Sequence, residues 1–263
     1  MIPNFVKKVG ISLGLTKIFS YPFANEHSQF LINVVDSSFK QRKTSKSKRN
    51  DLLDMMIAAV EGSLESSDGD DIHSSNQYEK DAKLVGHIKG KNLSYDHVAA
   101  TALFFLIAGY ETTARTLGRI LYDLAMNQDC QETLYEELTQ SGKAVNKLSY
   151  ESLQMLPYLD AVIHESLRRH PPFAFNERVC TKDYAVRNSN IVIRKGDLVR
   201  VSVAGILLDP EIYPNPLEYN PERFLKENTG NINPYAFLVF SVGPRNCIGM
   251  RFSMFEVKCA IRS

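Results

Sequence analysis

One stretch constrains this chain more than any other, the ten residues Phe240 to Gly249 with the sequence FSVGPRNCIG. Its five typed positions fit the spacing F-x-x-G-x-R-x-C-x-G, and average residue usage gives a chance match in a chain this long of roughly one in ten thousand. The run from Met250 to Lys258 that follows contains no helix breaker and predicts a helix. Cys247 then lies just before a helix N-terminus, where free backbone N–H groups and the helix dipole favour a thiolate. A lone cysteine would more often be an inert buried residue, but this spacing predicts a loop that presents a thiolate.

The other typed positions of the loop suit a flat, acidic group. Gly243 and Gly249 lack a Cβ, so the backbone can turn tightly and approach such a group closely. Arg245 can pair bidentately with a carboxylate. At these residues the sequence resembles the cytochrome P-450 family, which is the established example of a Cys-ligated haem whose thiolate pushes electron density onto iron and favours O–O cleavage. The resemblance implies that Cys247 is the axial iron ligand, that Arg245 pairs with a haem propionate, and that Phe240 and both glycines lie against the haem.

A long helix is predicted upstream of the loop. Ser94 suits an N-cap and Asp96 the first turn, and from there to about Asn127 only Gly109 interrupts the helical pattern. Read alone, the segment is a core helix with Gly109 as a packing notch and Thr112 bonding back to the carbonyl of Ala108.

The resemblance gives this helix a second interpretation. Ala108-Gly109-Tyr110-Glu111-Thr112 matches an A-G-x-E-T pattern that crosses the distal haem face in cytochromes P-450, where the helix opens locally. It implies that Thr112 and Glu111 guide protons to iron-bound dioxygen, that Ala108 lies against the haem, and that Phe104, Ile107 and Ala108 line a substrate pocket.

Two further patterns gain meaning from the resemblance. Glu165-Ser166-Leu167-Arg168 alone indicates only a helical i, i+3 pair, and Pro221-Glu222-Arg223-Phe224 follows downstream. In the family these segments form a Glu-Arg-Arg cluster that locks the approach to the haem loop, which implies a role for Glu165, Arg168 and Arg223 in folding and haem retention.

The region after Pro172 predicts the β structure. By resemblance, Phe173 and Ala174 are pocket walls and Arg178 is a second propionate partner; the alternative is that all three are surface strand residues. Residues 191–193 and the alternating residues 199–203 predict a hairpin across Lys195-Gly196-Asp197. Residues 204–239, rich in Pro, Asn and Tyr, predict an irregular segment.

The N-terminal part is predicted from spacing and charge. Residues 1–24 suit either an amphipathic segment that roofs a substrate channel and touches a membrane or an ordinary surface-packed helix and loop. Helices are predicted at 26–39, 50–60, 129–141 and 149–170, the last interrupted at Pro157. The basic residues 40–49 favour a solvated loop over a phosphate or lipid contact, and residues 61–92 favour a long mobile loop.

Composition excludes several classes of function. A net charge of +1 gives no electrostatic reason to expect a nucleic-acid partner. Cys130, Cys180, Cys247 and Cys259 form no CxxC pair or short secreted framework, so reduced thiols in a cytosol-facing protein are expected. The six histidines show no zinc-ligand spacing, and no Gly-rich phosphate loop follows a strand. The longest apolar run, 98–110, is shorter than a bilayer span and predicts a core helix.

Together, the sequence predicts a mainly α fold with a small β region, a partial cytochrome P-450 domain over residues 1–263. Residues 1–60 are expected to be channel-roof helices and 93–263 the haem-binding core, whereas an anchor, early helices and a C-terminal hairpin of the family are expected to be missing. The resemblance implies a microsomal monooxygenase of the xenobiotic- and steroid-metabolising branch, on the cytosolic face of the endoplasmic reticulum. The implied cofactor is haem. The implied partners are O2, an apolar substrate, a membrane surface and an NADPH-dependent flavoprotein reductase. Two alternatives remain. One is a haem-thiolate isomerase or dehydratase, which the intact Glu111 and Thr112 disfavour. The other is a truncated product that is unable to hold haem.

Overall fold

A computed structural model of the protein describes residues 27–45, 49, 51–61, 94–144, 150–229 and 233–263. These residues fall into two compact units, the first reaching Tyr110 and the second running over Glu111–Ser263. The predicted amphipathic segment at 1–24 lies outside the described residues. So does the predicted mobile loop at 61–92, except for Glu61, which ends a helix.

Helices form most of the described chain, and short strands form a small β region, so the predicted mainly α fold class is confirmed. The helices are α1 (His27–Thr44), α2 (Leu52–Glu61), α3 (Tyr95–Met126), α4 (Gln128–Ala144), α5 (Tyr150–Gln154), α6 (Pro157–Arg169), α7 (Val203–Leu207), α8 (Lys226–Thr229) and α9 (Met250–Arg262). The strands are β1 (Phe175–Val179), β2 (Tyr184–Ala185), β3 (Val192–Ile193) and β4 (Leu198–Ser202). No helix in the described ranges is long and apolar enough to cross a membrane.

In the first unit, α1 and α2 pack with the start of α3 around Phe39, Ile57 and Val98. The Arg42 guanidinium lies 2.6 Å from an Asp51 carboxylate oxygen and 2.9 Å from one of Asp54, and its side chain is only 12% exposed. The prediction of a solvated loop over residues 40–49 is therefore wrong at its start. Helix α1 continues to Thr44, because the acidic start of α2 pairs with Arg42.

Helix α3 begins and ends where the sequence predicts. The backbone N–H of His97 donates to the Ser94 hydroxyl at 3.4 Å, which is the bond expected from an N-cap residue. The helix is α-helical without interruption from Tyr95 to Met126, so the local opening that the resemblance implied near Gly109 is absent.

The second unit has its main core between the C-terminal part of α3 and helices α4, α5, α6 and α9. Pro157 separates α5 from α6 and occupies the first turn of α6, where its missing N–H costs nothing. The carboxylate of Glu137 on α4 accepts hydrogen bonds from the backbone N–H groups of Tyr158 at 2.8 Å and Leu159 at 2.9 Å. A side chain from another helix thus caps α6.

The β region differs from the prediction in its pairing. β1 pairs with β4 and β2 with β3, both antiparallel, so 191–193 does not pair with 198–202 across Lys195-Gly196-Asp197. Phe175 lies opposite Ser202 and Tyr184 opposite Ile193, which places both ladders in one register of a longer, interrupted hairpin. Its tip lies at 187–190, where Asn188 has a φ of 59°. The sequence pattern predicted the strand residues correctly but not their partners. Gly196, with a φ of 95°, changes the direction of the chain between β3 and β4.

The segment from β4 to the cysteine loop is less irregular than predicted. Val203 begins α7 instead of extending the strand, because the Ser202 hydroxyl accepts a hydrogen bond from the N–H of Gly205 at 3.1 Å and so caps the helix. Short 3-10 turns at Pro221–Phe224 and Pro234–Ala236 follow. A second small core of Val203, Leu207, Tyr213, Ala236 and Leu238 holds the segment together.

Candidate functional site

Backbone hydrogen bonds shape the loop that carries Cys247. The N–H of Cys247 donates to the carbonyl of Phe240 at 2.8 Å, and the N–H of Asn246 donates to that of Gly243 at 3.0 Å. Between them the chain makes a 3-10 turn at Gly243–Arg245, and Ser241 and Gly243 have φ angles of 61° and 78°. A closed turn therefore carries the Cys247 thiol, and the residue is exposed.

The two glycines of the loop differ in what they do. Gly243 needs the positive φ that L residues rarely adopt, so the predicted tight turn is present there. Gly249 has a φ of −90°, which other residues adopt easily, so it makes no such turn. A Cβ built at either position meets no atom within 4 Å, which leaves open space beside both. Their predicted approach to a cofactor stays a prediction.

The predicted helix after the loop is present as α9. Gly249 is its N-cap residue without a side-chain cap, and the N–H of Ser253 donates to the carbonyl of Gly249 at 2.9 Å. Cys247 thus stands directly before the positive end of a 13-residue helix. That end favours negative charge on a nearby group, which suits a thiolate ligand.

Two arginines lie in or beside the loop, and their predicted pairing with haem propionates stays a prediction. Arg245 belongs to the turn itself and is exposed. Arg178 on β1 is also exposed, and its Nη2 donates to the Arg245 carbonyl at 3.4 Å while Nη1 donates to the Glu177 carbonyl at 2.7 Å. A guanidinium has five N–H donors, so Arg178 keeps donors for an acidic ligand.

Glu165, Arg168 and Arg223 meet in the interior of the second unit. Arg168 Nε and Nη2 each lie 2.8 Å from a Glu165 carboxylate oxygen, and both side chains are fully buried. Arg223 Nε lies 3.6 Å from Glu165 Oε1.

The remaining donors of this cluster bind the backbone of the segment before the loop. Arg168 donates to the carbonyls of Leu207 and Pro216 at 2.8 Å, and Arg223 donates to that of Asn215 at 3.0 Å. The N–H of Asn220 donates to Glu165 Oε1 at 3.0 Å. The cluster therefore ties α6 to the chain that leads toward Cys247, and its role in haem retention stays a prediction.

Glu111 and Thr112 begin the part of α3 that belongs to the second unit. The Glu111 side chain is 70% exposed, and an oxygen of its carboxylate lies 3.7 Å from the Arg115 guanidinium. Thr112 is half-buried, and its carbonyl accepts a hydrogen bond from the Thr116 hydroxyl at 2.9 Å. The Glu111 carboxylate thus contacts water, while Thr112 is partly shielded from it.

The predicted pocket residues are mostly exposed. Phe104 and Ile107 are 45% and 43% exposed in the first unit, where Ala108 is half-buried. In the second unit Phe173 is 64% exposed, and Ala174 is exposed too. A pocket of about 160 Å³ in the first unit is lined by other residues: Ile32, Val35, Asp36, Tyr95, Asp96 and Ala99. The assignment of a substrate pocket stays a prediction.

The residues around Cys247 fit a flat, mostly apolar group with acidic substituents. Ile248 and Phe252, which follow Cys247 in the chain, are 82% and 71% exposed and leave apolar surface that such a group could cover. Arg245 and Arg178 supply cationic groups for acidic substituents. Among the described residues no group of three or more His, Cys, Asp or Glu side chains could hold a metal ion.

The comparison with protein families agrees with this geometry. The family model described as Cytochrome P-450 matches residues 3–263. The chain belongs to the cytochrome P-450 family. Family membership implies haem with a cysteine thiolate ligand, and the assignment of that ligand to Cys247 stays a prediction.

Individual cytochromes P-450 from insects and a mammal are similar over almost the whole chain. Probable cytochrome P-450 6a19 of Drosophila melanogaster is 39% identical over 257 residues, which are 97% of this chain and 45% of that protein. Cytochrome P-450 6k1 of Blattella germanica is 37% identical over 91% of this chain, and cytochrome P-450 3A29 of Sus scrofa is 35% identical over 94%. The chain spans about 45% of the length of each of these relatives.

Sequence reasoning missed three buried or capping charges in the second unit. Lys258 on α9 is 2% exposed, and Asp123 on α3 is 1% exposed and accepts hydrogen bonds from Arg169 and His170. Glu137, described above, caps α6. A signal exists only for Lys258, which stands in an otherwise apolar run from Val257 to Ile261. The partners of the other two are distant in sequence and follow no motif.

Proposed function

We propose that this chain is the haem-binding part of a monooxygenase that inserts one oxygen atom of O2 into an apolar substrate and reduces the other to water. The exposed Cys247 in its closed turn before α9 is the observation that carries the proposal, since this loop can offer a thiolate to an iron. Arg245 and Arg178 would hold the haem propionates, and Phe240, Gly243 and Gly249 would lie against the macrocycle.

Haem, when bound, supplies a redox-active iron that activates dioxygen. The chain's own residues orient the ligand and handle protons. The N-terminal end of α9 stabilises negative charge on Cys247 Sγ, and the hydrogen bond from the Cys247 N–H to the Phe240 carbonyl keeps the sulfur at the surface of the turn. The buried Glu165 cluster holds the preceding segment in place.

Proton delivery falls to Glu111 and Thr112. The exposed Glu111 carboxylate exchanges protons with bulk water, and Arg115 at 3.7 Å orients it. The Thr112 hydroxyl then passes the proton on through water. Thr116 holds the Thr112 carbonyl and so fixes that turn of the helix.

The wider setting belongs to the same proposal and is drawn from likeness to the family. Electrons from NADPH arrive through a flavoprotein reductase, and the protein acts on the cytosolic face of the endoplasmic reticulum membrane with apolar substrates of the xenobiotic or steroid kind. Phe173 and Ala174 form an apolar wall that receives them. The similarity to insect and mammalian cytochromes P-450 supports this assignment.

Haem titration of a matched pair of variants tests the proposal. Cys247→Ser should abolish the electron paramagnetic resonance signature of low-spin thiolate-ligated ferric haem, because a hydroxyl is a far poorer iron ligand. Cys180→Ser is the control, since that half-buried thiol donates to the Lys182 carbonyl and is assigned no cofactor. Equal signatures in both variants would refute the assignment of Cys247.

A further inference from the structure

The ammonium group of Lys258 is a buried charge without a part in the proposed chemistry. Lys258 lies in α9, the helix that follows Cys247, and its side chain is 3% exposed. Lysine is almost never buried to this degree unless its charge is paired, because removing an ammonium from water is costly. The pairing of Lys258 therefore has to offset that cost.

Its partners belong to the two helices on which α9 packs. Lys258 Nζ lies 2.8 Å from Asp160 Oδ1 on α6 and 3.4 Å from Gln154 Oε1 at the end of α5. The rest of the contact is apolar and joins Met254, Phe255, Val257 and Ile261 to the main core. Apolar packing tolerates small shifts of a helix, whereas a buried ion pair with a fixed partner favours one position.

We infer that Lys258 is a positioning residue for Cys247: its ion pair with Asp160 fixes α9 on α6 and thereby the place of the thiolate. Cys247 is joined to the core upstream by its hydrogen bond to the Phe240 carbonyl, and downstream the chain enters α9 after Ile248 and Gly249. A shift of α9 therefore moves the Cys247 sulfur. The link to haem rests on the proposed function, but the fixing of α9 does not.

The two side chains of the ion pair differ in burial, and this difference makes the inference testable. Asp160 is 43% exposed, so Lys258→Met leaves a carboxylate that water can solvate. Asp160→Asn instead leaves a buried ammonium with only neutral partners, which should cost more stability than Lys258→Met. Adding Lys258→Met to Asp160→Asn removes that stranded charge, so the double variant should be more stable than Asp160→Asn alone.

Hydrogen exchange measured by mass spectrometry tests the fixing of α9 in the 263-residue chain itself. Lys258→Met should speed amide exchange in Met250–Arg262 by about fivefold, the effect of losing a partly buried ion pair. Exchange in α4 is the control and should not change, because Lys258 bonds to α5 and α6. Unchanged exchange in α9, an equal rise in α4, or a double variant less stable than Asp160→Asn would overturn the inference.

The haem-loaded protein tests the link to Cys247. At equal haem content, Lys258→Met should lower the fraction of the reduced carbon monoxide complex that shows the red-shifted band of thiolate ligation, whereas a purely structural role would lower haem content and leave that fraction unchanged. An unchanged fraction overturns the positioning of Cys247. If neither the unaltered chain nor a longer form that contains it shows such a band with haem bound, the proposed function fails, and the exchange experiment still decides whether the ion pair fixes α9.

Discussion

Replacing Glu165 by glutamine should destabilise this protein strongly. Glutamine has nearly the same volume as glutamate, so the loss of stability would come from removing the carboxylate charge and not from a loss of packing. Two arginines face that carboxylate, one fully buried and one 12% exposed. Breaking a buried ion pair from one side costs about 3–5 kcal/mol, since the partner's charge stays out of water. A domain of ordinary stability has about 5–15 kcal/mol in total. The carbonyls of Leu207 and Pro216 still accept from Arg168, so the loss should fall short of complete unfolding.

Urea denaturation followed by circular dichroism measures the effect. We expect the midpoint of the Glu165→Gln variant to fall by roughly 1–2 M. Glu177→Gln is the matched control, because Glu177 pairs with Arg200 on the surface, with side chains 41% and 53% exposed. Such exposed pairs contribute about 0–1 kcal/mol. If both variants lowered the midpoint equally, the reasoning from burial would be refuted.

Three further predictions concern single side chains. Thr112→Ala should preserve the haem spectrum of the loaded protein but divert electrons from NADPH into peroxide, so unchanged product per NADPH would remove Thr112 from proton delivery. Glu137→Ala should destabilise the second unit by about 1–2 kcal/mol in the same urea assay, as loss of a helix cap does, and no change would contradict the capping role. Burial, with a hydrogen bond to Asp36, raises the pKa of Tyr95 to about 12, so its contribution to stability is present below about pH 10 and lost as the pH rises to 12. The unfolding midpoint should fall over that window, and a Tyr95→Phe variant with the same pH dependence would contradict this.

The parts of the site that lie within a single turn or helix could be predicted from the local sequence. The turn before Cys247 needs a positive φ at Gly243, and a helix without breakers follows it, so both are readable from neighbouring residues. The same holds for α3, whose N-cap and length follow from Ser94 and the absence of proline. The family match over residues 3–263 agrees with the resemblance drawn from these motifs.

Contacts between distant residues were harder to predict. Strand residues were recognised, but their partners were not, because pairing depends on the turn at 187–190 and on the conformation of Gly196. Arg42 was expected in solvent because its neighbours are basic, whereas acids nine and twelve residues later bind it. Lys258 has a local signal, its place in an otherwise apolar run, but its partner Asp160 is far away in the sequence and could not be predicted.

The difference spectrum of the reduced protein with and without carbon monoxide tests the central claim most directly. We predict a red-shifted Soret band in the 263-residue chain supplied with haem, or in a longer form of the protein that contains it, and loss of that band in Cys247→Ser. A band in the longer form alone would place missing parts of the haem pocket outside these residues, with the role of Cys247 intact. A bound haem without that band in either form would contradict thiolate ligation by Cys247 and, with it, the proposed monooxygenase.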